Sequence, residues 1–144
     1  MVDSTKTYSL FTDGGSRGNP GPSAYGAVLQ DDTGKVVWIS GKYIGHSTNN
    51  RAEYEGLYRG LFMAKGKGVK KLHVYMDSEL AYKQVSGKWK AKDATIKGYL
   101  KKIEDLLKEF DEVKFEHTLR EGNPLADRIV NIVLDTTEQV NGHS

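Results

Sequence analysis

Four acidic residues, Asp13, Glu53, Asp77 and Asp127, stand in places poorly suited to a core and well suited to chemistry. Asp13 follows a β-like run, Thr7 to Thr12, and Asp77 follows another, Lys71 to Met76. If those strands are parallel neighbours, both carboxylates emerge at one sheet edge. Glu53 falls on the apolar stripe of a helix, because Leu57 and Leu61 lie four and eight residues further on. Asp127 sits among Leu125, Ala126, Ile129 and Val130, with Val130 and Leu134 on its own side. Any one of the four is explained alone as a strand-end turn residue or a helix-start acid favoured by the dipole. Four converging acids are a different matter, since they repel strongly unless a divalent cation compensates them. An all-oxygen ligand set suits Mg²⁺ or Mn²⁺. Two such ions, about 3.5–4 Å apart, can activate a water and stabilise the leaving oxygen in phosphodiester hydrolysis.

The elements that must position these acids follow from periodicity and turn chemistry. Thr7 to Thr12, Ala24 to Gln30 and Lys35 to Ile44 read as three antiparallel strands, with a hairpin turn at Asp31-Asp32-Thr33-Gly34. The stretch between Asp13 and Ser23, rich in Gly, Ser, Asn and Pro, reads as a loop. Asn50 can cap a helix that carries Leu57, Leu61 and Ala64 and ends near Gly66 or Gly68. After the strand Lys71 to Met76, Ser78 is placed to cap a short helix from Glu79 to about Val85. A longer amphipathic helix runs from about Ala94 to Phe110, with Ile96, Tyr99, Leu100, Ile103, Leu106 and Leu107 as its buried stripe. Val113 to Leu119 alternates as a strand, which puts His117 on its apolar face as a packed core histidine. Pro124 suits the first turn of a last helix reaching Leu134, and residues 135–144 read as a polar tail. The order β-β-β-α-β-α-α-β-α implies a mixed α/β sheet, an antiparallel meander followed by parallel partners, flanked by helices.

The 144 residues suit a single domain, here residues 1–134 followed by the tail. No cysteine is present, which excludes disulfides, thiolate metal sites and a Cys nucleophile. No apolar stretch is long enough to span a membrane, and the first residues lack a signal-peptide plan, so a cytoplasmic protein is expected. The net charge of +2 is small, but eleven lysines face three acids between Lys65 and Lys102. Such a block reads either as a footprint for a phosphate backbone or as solvated helix faces. No coiled-coil pattern demands a dimer, so a monomer is expected.

Four segments in order carry a resemblance: Asp13-Gly14-Gly15-Ser16-Arg17-Gly18-Asn19-Pro20-Gly21, Asn49-Asn50-Arg51-Ala52-Glu53, Asp77-Ser78 and Asn123-Pro124-Leu125-Ala126-Asp127. Together they resemble the type 1 ribonuclease H family over about Tyr8 to Leu134. The resemblance implies the ribonuclease H-like fold, a five-stranded mixed sheet with helices on both faces. It implies that Asp13, Glu53, Asp77 and Asp127 hold two Mg²⁺ ions, with Mn²⁺ as an alternative. The implied reaction is cleavage of the RNA strand of RNA/DNA hybrids, largely independent of base sequence, leaving 3′-hydroxyl and 5′-phosphate ends.

The resemblance also implies substrate contacts. Asn19 and Asn49 match residues that touch the minor groove and 2′-hydroxyls, and Gly14 belongs to the same binding set. Thr48 and Ser78 match positions near the DNA strand, although each hydroxyl also suits a helix cap. Trp89, between Lys88 and Lys90, matches an aromatic and basic surface that lines the DNA channel, with core packing as the alternative. Glu79 stands where several relatives carry a Gln, and a carboxylate cannot donate that hydrogen bond. The stretch between Val85 and Ile96 is too short for the basic handle helix of some relatives, so the chain resembles a compact branch found in archaea and some bacteria. The loop that carries a proton-transferring His in many members is shortened here. Arg120 resembles the Arg of the compact branch, suited to stabilising charge on the phosphate or leaving group.

Two rival readings stand beside this one. A nuclease of the same fold could act on double-stranded RNA. A non-catalytic hybrid-binding module would use the basic block and the unusual loop without needing four acids.

Overall fold

The structure, a computed structural model, describes residues 2–87, 90–118 and 123–141. Five strands, β1 (Thr7–Ser16), β2 (Gly21–Gln30), β3 (Val36–Ser47), β4 (Lys71–Met76) and β5 (Glu112–His117), form one sheet in the order β3-β2-β1-β4-β5. The first three strands are antiparallel, and β4 and β5 run parallel to β1. The helices are α1 (Asn49–Gly66), α2 (Glu79–Val85), α3 (Ala94–Leu107) and α4 (Pro124–Asn141). This is the mixed sheet expected from the element order.

One face of the sheet packs on α1 and α3. Leu10, Leu29, Leu72, Val74 and Met76 meet Tyr54, Leu57 and Leu61 of α1 and Ile96, Tyr99 and Ile103 of α3 in one buried cluster. Burial of that size supplies the main driving force for folding, at about 25 cal/mol per Å² of apolar surface. The opposite face carries α4, whose Val130 and Leu134 bury against Ala24. That helix docks closely because Gly26 has no side chain: a Cβ there would lie 2.6 Å from the Ala126 carbonyl oxygen. Among the described residues no helix is long and apolar enough to cross a membrane.

Several sequence expectations need correction. The loop expected after Asp13 is instead a continuation of the hairpin, β1 running to Ser16 and β2 starting at Gly21. Thr48, not Asn50, caps α1: its backbone is extended and its Oγ1 accepts from the Arg51 N–H at 3.2 Å. The last helix continues to Asn141, past the tail boundary expected at residue 135. The apolar stripe ends at Leu134, and beyond it Asp135 and Glu138 are held by ion pairs from Arg17 rather than by burial.

His117 is exposed rather than packed in the core. It ends an edge strand, where Tyr82 of α2 packs against its ring at 5.8 Å between centroids, and its Nε2 lies 3.2 Å from the Asp77 carbonyl oxygen. In the lysine-rich block, Lys71 starts β4 at the end opposite Asp77, and Lys90, Lys97 and Lys101 border an open groove together with Glu104 and Asp105 of α3.

Candidate active site

The parallel pairing of β1 with β4 ends with Thr12 beside Met76, so Asp13, still paired with Gly26 of β2, and Asp77, just past the end of β4, are the next residues on neighbouring strands. Glu53 arrives from the second turn of α1. The helix comes close enough because residue 14 is glycine: a Cβ at Gly14 would lie 2.3 Å from both the carbonyl carbon of Ala52 and the amide nitrogen of Glu53. The result is three carboxylates, Asp13, Glu53 and Asp77, each offering an oxygen within 4.8 Å of the others. Asp127, in the first turn of α4, lines the same cleft of about 590 Å³. Its position is tied to Asp13 through Asn123, whose Nδ2 donates to the Thr12 carbonyl at 2.9 Å and whose own carbonyl accepts from the Asp127 N–H.

The electrostatics follow from this crowding. Asp13 is only 3% exposed, and its pKa is pushed up to about 8, first by loss of water and then by the negative charges of Asp77 and Asp127. Burial also raises Glu53 well above the ordinary carboxylate range, reinforced by Asp13 and Asp77 and opposed by a hydrogen bond from the Gly14 backbone. The Glu53 Oε2 is buried with no hydrogen-bond partner. A carboxylate oxygen in that condition is costly without a compensating charge. Hard oxygen donors, clustered and sharing negative charge, fit a divalent cation of the Mg²⁺ or Mn²⁺ type. Among the described residues no other group of three acids or histidines converges in this way.

The rim of the cleft is built from polar side chains at the tip of the β1–β2 hairpin and the start of α1. Asn49 Oδ1 accepts from the Ser16 N–H at 2.7 Å, and Asn19 Oδ1 accepts from the Asn49 N–H at 3.2 Å. The structure therefore brings together Asp13, Gly14, Asn19, Asn49, Glu53, Asp77, Ser78 and Asp127 around one cavity. Ser78 caps α2, accepting from the Ala81 N–H, and Thr48 caps α1. A hydroxyl that accepts at a cap still has its own proton to donate. Trp89 and Arg120 lie outside the described residues.

Three site residues were not singled out from the sequence. Asn50 lines the cleft, and its Oδ1 is buried without a hydrogen-bond partner. In the sequence Asn50 reads as a helix cap, and it lies in the Asn49–Glu53 segment that carries the resemblance. Asn123 and Arg17 are the others. Both act through partners more than a hundred residues away in the chain.

Comparison with known proteins agrees with this geometry. A family model described as reverse transcriptase-like matches residues 11–133. The chain is 41% identical over 131 residues to a bifunctional protein of Mycobacterium tuberculosis, covering 90% of this chain but only 36% of that protein's length. The solved N-terminal RNase H domain of that protein superimposes with a TM-score of 0.90 at 38% identity, covering 94% of this chain and 99% of the other. LC11-RNase H1, solved in complex with an RNA/DNA hybrid, has a TM-score of 0.85 at 39% identity, covering 90% and 98%. A ribonuclease H of Aromatoleum aromaticum is 35% identical over 121 residues, 81% of this chain and 76% of the relative. With a family match along almost the whole fold and relatives of that name at this identity, the chain belongs to the ribonuclease H family.

Proposed function

We propose that this chain is an endonuclease that hydrolyses the RNA strand of RNA/DNA hybrids, using two divalent cations and leaving 3′-hydroxyl and 5′-phosphate ends. The observation that carries the reading is the convergence of Asp13, Glu53 and Asp77 within 4.8 Å on a cleft that Asp127 also lines. A binding module would have no use for so costly an arrangement, because its buried charges work against folding. The similarity to a domain solved with hybrid bound supports the choice of substrate.

In this reading Asp13, Glu53, Asp77 and Asp127 hold Mg²⁺ or Mn²⁺. When bound, the cations supply Lewis-acid polarisation of the phosphate and lower the pKa of an attacking water. The remaining residues bind and orient. Asn19 and Asn49 use their carbonyl ends to brace the rim, which leaves their –NH₂ ends for the 2′-hydroxyl oxygens that distinguish RNA from DNA. The Thr48 and Ser78 hydroxyls donate to backbone phosphates, and Gly14 lets the backbone approach closely. Trp89 stacks on the DNA strand, and Arg120 stabilises charge at the phosphate. The preference is for shape and sugar rather than base sequence. The enzyme acts as a monomer in the cytoplasm.

The test is cleavage of labelled RNA/DNA hybrid, double-stranded RNA and double-stranded DNA, each with Mg²⁺, Mn²⁺ or EDTA, beside Asp77→Asn. Cleavage confined to the hybrid's RNA strand, dependent on metal and lost in the variant, is the expected result. Hybrid that is bound but intact under every metal condition overturns the enzyme reading, and cleavage of duplex RNA broadens the substrate.

A further inference from the structure

Arg17 lines the cleft but contributes nothing to the carboxylate cluster. Its backbone N–H donates to the Pro22 carbonyl at 2.8 Å across the hairpin that carries Asn19. Its guanidinium reaches to α4, where Nη2 lies 2.6 Å from Asp135 and Nη1 lies 2.9 Å from Glu138, with the Asn131 carbonyl at 3.5 Å. Asn131 in turn donates to the Asp127 carbonyl at 3.1 Å. Asp127, Asn131, Asp135 and Glu138 are spaced four, four and three residues apart, so they form one stripe of the helix. One side chain thus connects the hairpin tip to the helix that carries Asp127.

Exposed ion pairs of this kind contribute little to stability, and two acids beside a cleft for a polyanion weaken binding on charge grounds alone. Their presence calls for a geometric role. We propose that Arg17 is a positioning residue for hybrid binding: clasped by Asp135 and Glu138, it holds the Asn19 tip at a fixed distance from Asp127. The register between the 2′-hydroxyl contacts and the scissile phosphate depends on that distance. This inference rests on the hybrid-cleaving reading above.

The experiment compares wild type, Arg17→Met, Arg17→Lys, the double variant Asp135→Asn/Glu138→Gln and the triple combination with Arg17→Met. Hybrid binding is measured by fluorescence anisotropy in EDTA and turnover in Mg²⁺, with thermal unfolding as a check on folding. Arg17→Met and the acid-to-amide variant should each raise Kd and KM by about 3- to 10-fold with kcat within about twofold, and the triple variant should be no worse than either. Arg17→Lys, which keeps the charge but not the two-pronged contact, should recover part of the loss.

The sign of the acid-to-amide effect is the discriminating result. Removing two negative charges should tighten binding of a polyanion, so a rise in KM supports the clasp against that trend. An unchanged or lowered KM overturns it and assigns Arg17 to direct phosphate contact. Equal losses in kcat with KM unchanged also overturn it. Wild type that neither binds nor cleaves hybrid removes the functional reading itself, and the clasp with it.

Discussion

Replacing Asp13 with Asn should abolish activity and at the same time stabilise the metal-free protein, by an amount that depends on pH. Asp13 is 3% exposed and its pKa stands at about 8 in the folded chain. In the unfolded chain the value is about 3.9. The folded state therefore keeps a proton that the unfolded state has released, and stability falls as pH rises from about 4 to about 8. Roughly four pH units at about 1.4 kcal/mol each set a ceiling of about 6 kcal/mol. Relaxation and water entry around a buried charge reduce this to an effect on the order of 2–3 kcal/mol. Asn keeps the shape without the charge, so it should recover that amount at pH 8 and nothing near pH 4. At about 3–4 °C per kcal/mol for a chain of this size, the variant should melt roughly 6–12 °C above wild type at pH 8 in EDTA. Excess Mg²⁺ should narrow the gap, since a cation that binds only the folded wild type stabilises it. A variant that melts below wild type at pH 8, or a gap that does not change with pH, would refute the argument that burial and mutual repulsion dominate this site.

Two further substitutions probe how the acids are held. Asn123→Ala leaves the buried Thr12 carbonyl without its donor and should cost about 1–3 kcal/mol in urea unfolding; a loss below about 0.5 kcal/mol would show that the contact is not needed. Gly14→Ala places a methyl group on the backbone of Ala52 and Glu53, which cannot rotate away, so α1 must withdraw from β1. Overpacking of this kind costs about 1–3 kcal/mol, and displacement of Glu53 should weaken divalent-cation affinity at least tenfold by calorimetry. Unchanged affinity would mean that Glu53 does not depend on the close approach.

What the sequence discloses and what it conceals follow from where each signal resides. The carboxylates could be read because they break a pattern. Glu53 interrupts an apolar stripe at helical spacing, and Asp13 and Asp77 close two β-like runs whose parallel pairing follows from a helical crossover between them. The surrounding periodicity says where such residues point, and the cost of burying a charge says that the position is unusual. Asn50, Asn123 and Arg17 break no pattern, being polar residues near turns and helix starts where polar residues are common. Their meaning comes from distant partners: Asn123 from the Thr12 carbonyl, Arg17 from Asp135 and Glu138. Periodicity misplaces His117 for a related reason. Alternation along β5 assigns it to the apolar face, but β5 is an edge strand and the layer that would cover its end is only the short α2. Periodicity misses the end of α4 because its last turns carry no apolar stripe: Asp135 and Glu138 are held by ion pairs to a hairpin near the other end of the chain. Periodicity reports burial against a neighbouring layer, so it locates the acids placed at odds with a core. It is silent on the polar contacts between remote segments that set the distances around those acids.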